Sequence, residues 1–214
     1  MNNLVFLEPD CIKAVPFTTS KVIAEFTGVE HRKLKVSINK NKSALETFGL
    51  LASYGAESTG GRPEEITSLN EQQATLLVTF LKNTPVVVAF KTELVKQFYQ
   101  MRSELQKRQI GKLELKPTRR TLTDEIQDNP NHGKWDYKLF TDLAYKMVTG
   151  KIAVTLRKER GAKPKAIAID YMTAEEIAQV EKFVYKIAVL YEMGLDYHQI
   201  KAMLLNRQMI GRIA

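Results

Sequence analysis

The sequence predicts a mostly α-helical α+β protein, with a winged-helix-like helix-turn-helix domain containing a small sheet, followed by an all-helical C-terminal domain. Three features lead to this fold class. Two short helical patterns flank Gly28, and two short strand-like runs flank a glycine-rich turn at Gly60-Gly61. Helical periodicity dominates most of the remaining chain.

The first helical pattern begins at Thr19 or Ser20, either of which can cap it, because a short hydroxyl accepts from the free amides of the first helical turn. Its apolar residues stand at helical spacing; they are Val22, Ile23 and Phe26. Gly28 then marks the reversal of the chain, since glycine adopts a positive φ without steric cost.

The second helical pattern runs from Glu30 to Lys40, with Leu34 and Ile38 facing inward. Its outer face is basic and contains Arg32, Lys33, Lys35 and Lys40. The spacing of Ala24, Gly28 and Leu34 favours a close crossing of the two helices, as a DNA-reading helix-turn-helix requires. The alternative is a helical corner with an ordinary solvated face, as in proteins that do not bind DNA.

Short strands are predicted at Asn3–Leu7, Leu45–Tyr54 and Glu65–Leu69. A turn at Ser58–Pro63 joins the last two, and it carries Arg62. This pair is typical of a wing beside a helix-turn-helix. An ordinary β-hairpin with a polar tip is an equal alternative.

Two helices follow the strands. Asn70 and Gln73 predict a capping box for a helix that ends before Asn83. Thr84 and Pro85 are the expected cap and first-turn residues of a second, long helix that extends to Gln109. With this helix the first domain spans residues 1–110.

Residues 111–134 are predicted to be an interdomain linker, because they contain Pro117, Pro130 and a glycine-asparagine-rich end and few residues that could anchor a core. Residues 135–214 form the predicted helical domain. Its expected helices cover Asp136–Thr149, Lys151–Arg160, a segment capped by Thr173, and a last one from Tyr197.

Composition narrows the range of functions. The 214-residue chain carries a net charge of +8, which favours an anionic partner, with nucleic acid ahead of an anionic membrane surface. The single cysteine, Cys11, excludes an intramolecular disulfide and fits a reducing compartment. The chain shows no apolar run long enough to span a membrane and no signal peptide at its N-terminus. We therefore expect a soluble cytoplasmic protein of a bacterium or of its virus.

Catalytic and metal-binding patterns are absent from the sequence. The three histidines, His31, His132 and His198, stand on separate segments, and no Cys/His spacing suits zinc. No phosphate-binding glycine loop and no serine nucleophile elbow is present. We expect no catalytic residues, no metal site and no cofactor, and hence no enzyme.

Several separated motifs resemble the Rha family of phage regulatory proteins. They are TTSKVIAEFTGVEHRKLKVSI with Ser20, Ala24, Gly28 and His31, then Phe48, the turn Gly61-Arg62-Pro63, and FKTELVKQFYQMRSEL with Phe98, Met101 and Glu104. Lys21 replaces the arginine usual in that family, and the closing motif lacks its asparagine. The resemblance covers residues 17–105 and implies a phage- or prophage-encoded regulator that acts on DNA or on a repressor. The second half resembles the helical tails of phage antirepressor and regulatory proteins.

The predicted function is that of a transcriptional regulator that binds double-stranded DNA through the helix-turn-helix. The predicted DNA-binding residues are Ser20, Lys21, His31, Arg32, Lys35, Asn39, Lys40 and Arg62. For His31 the alternative is a hydrogen bond within its own domain. A secondary basic patch comprises Lys151, Arg157, Lys158, Arg160, Lys163 and Lys165.

The alternative function is an antirepressor-type module that sequesters a repressor or a host protein without binding DNA. A homodimer is expected in either case, because two helices carry long apolar stripes, Thr84–Gln109 and Thr173–Met193. In the second helix the stripe includes Val184 and Leu190. The alternative is that each stripe packs within its own domain.

Overall fold

The computed structural model describes residues 3–55 and 64–210. The chain divides into two units. The first comprises the N-terminal segment up to Glu8 together with Ala14–Ser103, and the second comprises Pro9–Lys13 together with the chain from Glu104 onward.

The first unit contains a three-stranded antiparallel sheet with the strand order β1-β3-β2. Thr18 of β1 pairs with Leu69 of β3, and Tyr54 of β2 pairs with Ile66 of β3. The elements in chain order are β1 Phe17–Thr19, α1 Ser20–Thr27, α2 His31–Lys40, α3 Lys42–Glu46, β2 Ala52–Gly55, β3 Glu65–Asn70, α4 Glu71–Thr79 and α5, which begins at Pro85.

The core of the first unit is apolar and draws on α1, α2, α3, β3, α4, the start of α5 and the N-terminal segment. It contains Leu4, Val5, Ile23, Ala24, Leu34, Ile38, Leu45, Leu69, Ala74, Leu77, Val78, Phe90, Leu94 and Phe98. The predicted capping box is confirmed, because the Asn70 side chain accepts from the Gln73 amide and the Gln73 side chain accepts from the Asn70 amide. Thr84 Oγ1 likewise accepts from the Val87 amide at the start of α5.

Two of the predicted strands differ from the structure. The Asn3–Leu7 segment makes only a single bridge, between Phe6 and Phe17. The Leu45–Tyr54 strand is shorter than predicted, because Leu45 lies in α3, where its side chain is fully buried. Only Ala52–Gly55 forms the strand β2. A buried leucine fits a helix as well as a strand, and short apolar runs do not separate the two.

The predicted linker is also corrected. Helix α5 runs over Pro85–Asp128, so most of residues 111–134 is helical. The buried apolar side chains of α5 within the predicted linker belong to the core of the second unit; they are Leu115, Leu122 and Ile126. Gly111 lies inside the helix where a Cβ would come within 3.1 Å of Ile177 Cγ2, so the glycine permits a close helix approach. Pro117 lies exposed in the same helix.

The regular secondary structure of the second unit is all helical in the described residues, as predicted. Its elements are the C-terminal part of α5, α6 Asp136–Thr149, α7 Ala153–Glu159, a 3₁₀ turn Ala168–Tyr171, α8 Ala174–Glu192 and α9 Tyr197–Ile210. Thr173 and Glu176 form a capping box at the start of α8. The core of the unit includes Phe140, Leu143, Leu156, Ile177, Val180, Val184, Ile187, Ile200 and Leu204.

Candidate nucleic-acid interface

Helices α1 and α2 form the predicted pair, joined by Gly28-Val29-Glu30. Thr19 Oγ1 caps α1 by accepting from the Val22 amide at 3.2 Å. Gly28 ends α1 in the left-handed region, with φ of 70°. The apolar side chains of the two helices meet in the core of the unit, with Ile23 and Ala24 from α1 and Leu34 and Ile38 from α2. The local sequence therefore dictates this arrangement of two helices, as predicted.

A chain of hydrogen bonds connects α1, α2 and β3. The Thr67 amide donates to Ser20 Oγ at 3.0 Å. Ser20 Oγ lies 2.8 Å from His31 Nε2, and His31 Nδ1 lies 2.7 Å from Glu64 Oε1. An ionised carboxylate only accepts, so Nδ1 carries the proton in the last contact. Both ring nitrogens of His31 are therefore engaged within the unit.

Two of the predicted DNA-binding residues, Ser20 and His31, take part in this chain of hydrogen bonds. Ser20 is fully buried and its hydroxyl is occupied, so it is not available to a phosphate. The His31 side chain is 13% exposed and is held at the first turn of α2 by Ser20 and Glu64. The hydrogen bond with His31 also lowers the pKa of Glu64 below its ordinary value. Ser20 and His31 therefore position the first turn of α2, and for His31 this is the hydrogen bond within its own domain that stood as the alternative to a DNA contact.

The outward face of α2 lies opposite the buried Leu34 and Ile38. Its residues are exposed and follow helical spacing; they are Arg32, Lys33, Val36, Asn39 and Lys40. Val36 is 62% exposed and is the one apolar side chain among these five. Sequence reasoning missed Val36, although its helical phase, four residues after Arg32, places it at the centre of this face.

The cations near α2 differ in their partners. Lys33 pairs with Glu30 at 3.0 Å, and Lys35 pairs with Glu65 at 3.1 Å. Within the residues that the structure describes, by contrast, no hydrogen bond or ion pair engages Arg32 or Lys40. The predicted phosphate contact Lys35 is thus partly neutralised, whereas Arg32 and Lys40 remain unpaired in the described part of the chain.

The remaining predicted DNA-binding residues are Lys21, Asn39 and Arg62. Lys21 is exposed at the first turn of α1, on the segment that follows β1. Asn39 is exposed on α2 beside Val36 and Lys40. Arg62 lies outside the described residues, between β2 and β3, and so does the predicted turn that carries it.

The secondary basic patch resolves into two groups. Three of its members have partners: Arg160 binds Glu176 and the Tyr171 carbonyl, Arg157 donates to the Ala166 carbonyl, and Lys151 pairs with Glu159. The hydrogen bond with Glu176 raises the pKa of Arg160. The other three are exposed and have no ion pair among the described residues; they are Lys158, Lys163 and Lys165.

The described residues contain no group of three or more His, Cys, Asp or Glu side chains arranged to hold a metal ion. No helix in residues 3–55 and 64–210 combines the length and apolar character needed to cross a bilayer.

The N-terminal region is similar to a known protein family. Residues 18–103 match the family model described as phage regulatory protein Rha. The matched range begins in β1 and ends in α5. It therefore covers the first unit except for the residues that precede Thr18. A search of the curated proteins gave no significant match. The resemblance of the N-terminal region to the Rha family is confirmed over these residues. The C-terminal region lies outside the match, and its predicted helical character agrees with the structure.

Proposed function

Because residues 18–103 match the Rha family of phage regulatory proteins, we propose that this chain is a phage- or prophage-encoded transcriptional regulator that binds double-stranded DNA. The proposal gives α2 the role of the recognition helix in the major groove. It rests on one observation: the outward face of α2 combines the unpaired cations Arg32 and Lys40 with Asn39 and Val36. The site of action is then the cytoplasm of the bacterial host.

Four of the five exposed residues of α2 have a DNA contact that their chemistry suits, and the fifth, Lys33, pairs with Glu30. Arg32 and Lys40 stand at the two ends of the face and neutralise phosphates, joined by Lys21 at the start of α1. Asn39 hydrogen-bonds a base edge, since a carboxamide matches the donor and acceptor pair of adenine. Val36 meets the methyl group of thymine. These assignments separate residues that supply affinity from residues that supply sequence preference.

The hydrogen-bond chain supports the same role. His31 is the first residue of α2, and it is tied to α1 through Ser20 and to the segment before β3 through Glu64. A recognition helix must present its side chains to the groove at a fixed orientation, so a buried tether at its first turn contributes to binding without touching DNA.

The test is a mobility-shift titration of the full-length protein with operator duplex from the phage genome, at about 50 mM and about 200 mM salt. Replacing Arg32 and Lys40 with alanine should weaken binding and reduce the log–log salt slope by about 0.9 for each lost phosphate contact. Lys82→Ala is the matched control for each single substitution, because Lys82 is an exposed lysine in the loop between α4 and α5 and its loss also removes one positive charge.

The outcomes are distinct. A reduced slope for the α2 variants with an unchanged slope for the control supports the groove assignment. Equal affinity and slope in the folded α2 variants would reject it. If the unaltered protein does not shift any operator duplex at low salt, DNA binding itself is rejected, and the antirepressor alternative is the function left to test.

A further inference from the structure

Helix α8 has a second apolar stripe, on the side away from its own core. Tyr185, Val189 and Met193 succeed one another at intervals of four residues and are 63%, 36% and 70% exposed. The stripe of this helix that was predicted to mediate dimerisation, with Val184 and Leu190, faces the core instead. Val184 is buried in the core of its own unit, and Leu190 packs against that core. The outer stripe is therefore distinct from the residues that fold the unit.

The outer stripe borders a groove between α8 and α9. The groove has a volume of about 260 Å³, and its walls include Tyr185, Val189, Leu190 and Met203. Met203 of α9 is 49% exposed and extends the apolar surface beyond α8. Exposed contiguous apolar surface of this kind marks an interaction site more often than solitary exposed residues do.

Charged residues flank the stripe in a polarised pattern. Lys182 and Lys186 lie toward its N-terminal end, and Glu192 lies toward its C-terminal end. All three are exposed, and none has an ion pair within the described residues. The helix face is thus positive before Val189 and negative after it.

We propose that this face of α8 binds the same face of a second copy of the chain, with the two α8 helices antiparallel about a two-fold axis at Val189. A two-fold axis makes the contacts reciprocal: when one residue of the first copy lies level with another residue of the second copy, the same two residues also meet with the copies exchanged. With its centre at Val189, Tyr185 lies level with Met193 of the second copy, and Lys186 lies level with Glu192. The first pair forms a sulfur–aromatic contact and the second joins opposite charges.

The charges select this arrangement over the parallel one. A parallel pair of α8 helices would bring Lys186 level with Lys186 and Glu192 level with Glu192, and like charges at one level are repulsive. The antiparallel pair instead has opposite charges at both ends of the stripe. The groove beside α9 gives room for apolar side chains of the second copy. The occupant that fits the surface is therefore a second copy of this chain.

The first experiment is sedimentation equilibrium of the full-length protein over micromolar concentrations. We expect a species of twice the monomer mass of 24.4 kDa. Val189→Glu should weaken the dimer at least about tenfold, because it brings two carboxylates together at the axis. Lys186→Glu and Glu192→Lys should each weaken it, and the double variant should restore it. Lys138→Glu, an exposed site on α6, is the matched charge-reversal control.

The second experiment tests the orientation by oxidative cross-linking in a Cys11→Ser background. Val189→Cys should form an intermolecular disulfide, since the two-fold axis brings the two thiols together. Tyr185→Cys should not, because antiparallel helices place the two copies of that position about 12 Å apart along the axis, at 1.5 Å per residue.

The proposal is overturned by a monomer across the concentration range, by a dimer that Val189→Glu leaves intact, or by cross-linking of Tyr185→Cys to itself as readily as Val189→Cys. The inference uses only residues of the second unit and does not depend on DNA binding. Loss of the dimer in a variant that keeps the salt slope of the α2 face would therefore separate the two proposals.

Discussion

His31 Nδ1 lies 2.7 Å from Glu64 Oε1, across 33 residues of sequence. Through its other ring nitrogen, the same imidazole reaches Ser20, whose hydroxyl accepts from the Thr67 amide. The first turn of α2 is thereby fixed to α1 and to the sheet by polar contacts in addition to apolar packing. We expect the orientation of α2 to depend on these hydrogen bonds, in which Ser20 is the most buried side chain.

Ser20→Ala should destabilise the first unit by about 1–3 kcal/mol, because it leaves the buried amide of Thr67 without an acceptor. Hydrogen exchange of the Thr67 amide and thermal unfolding both report the loss. Ser37→Ala is the matched control, since Ser37 lies in α2 and its hydroxyl has no partner among the described residues. Equal stability of the two variants would contradict the structural role of the Ser20 hydroxyl.

Gly28→Ala should destabilise the same unit by about 1 kcal/mol. The residue has φ of 70°, and an added Cβ would meet nothing within 4 Å. The cost is therefore conformational and not steric. Gly28→Asn should cost less, since asparagine tolerates the left-handed region. Chemical denaturation of the three proteins measures the order, and an asparagine variant less stable than the alanine variant would refute the argument.

Local signals account for what the sequence predicted well. The caps at Thr19, Asn70 and Thr173 and the turn at Gly28 each depend on residues within a few positions, so single-sequence reasoning finds them. The buried face of α2 follows from periodicity in the same way. Glu64 was not identified as the partner of His31, because no local pattern connects positions 33 residues apart.

In the long helix α5, by contrast, local sequence signals led to a wrong prediction. Pro117, Pro130 and the glycine- and asparagine-rich end are the usual signs of a chain break, and they led to the prediction of a linker that begins at Gly111. In the structure Gly111 permits close packing against Ile177, and Pro117 lies on the exposed side. Tertiary packing of Leu115, Leu122 and Ile126 outweighs the local cost of these two residues. The sequence alone does not predict this packing, because it does not show which helices lie next to α5.

Asn39→Ala should reduce discrimination between operator and unrelated DNA and leave the salt slope unchanged. A base contact carries sequence preference worth about 1–3 kcal/mol, whereas a phosphate contact carries salt dependence. Lys40→Ala should do the reverse, with a smaller slope and an unchanged preference. Competition titrations with operator and scrambled duplexes measure both quantities. If the two neighbouring substitutions have the same effect, the division of roles on α2 is wrong.

Acid should destabilise the second unit through Glu176. Burial alone would raise the pKa of Glu176, but hydrogen bonds from Arg160 and the Thr173 amide lower it below its ordinary value of 4.5. A carboxyl whose pKa is lower in the folded state stabilises the protein above its unfolded pKa. The contribution is lost as the pH falls below 4.5 and through the folded value.

The measurement for Glu176 is thermal unfolding between about pH 3 and about pH 7, followed by the fluorescence of Trp135, the only tryptophan. Glu176→Gln should lower stability at neutral pH and flatten the acid dependence. Glu175→Gln, at the adjacent exposed position, is the control. A Glu176→Gln variant with the acid profile of the original protein would show that this carboxyl does not contribute.

The helical character of the segment predicted as a linker is tested by two leucines in α5. Leu122 is 5% exposed and belongs to the core of the second unit, whereas Leu113 is 59% exposed. Leu122→Ala should therefore cost about 2–5 kcal/mol, since it removes buried methyl groups and leaves a cavity. Leu113→Ala should cost little, because alanine is a better helix former and little apolar area is lost. Both substitutions make the same chemical change in the same helix, so unfolding followed at Trp135 isolates the effect of burial. A solvated linker would make the two variants equally stable, and that result would reject the packing of α5 in the second unit.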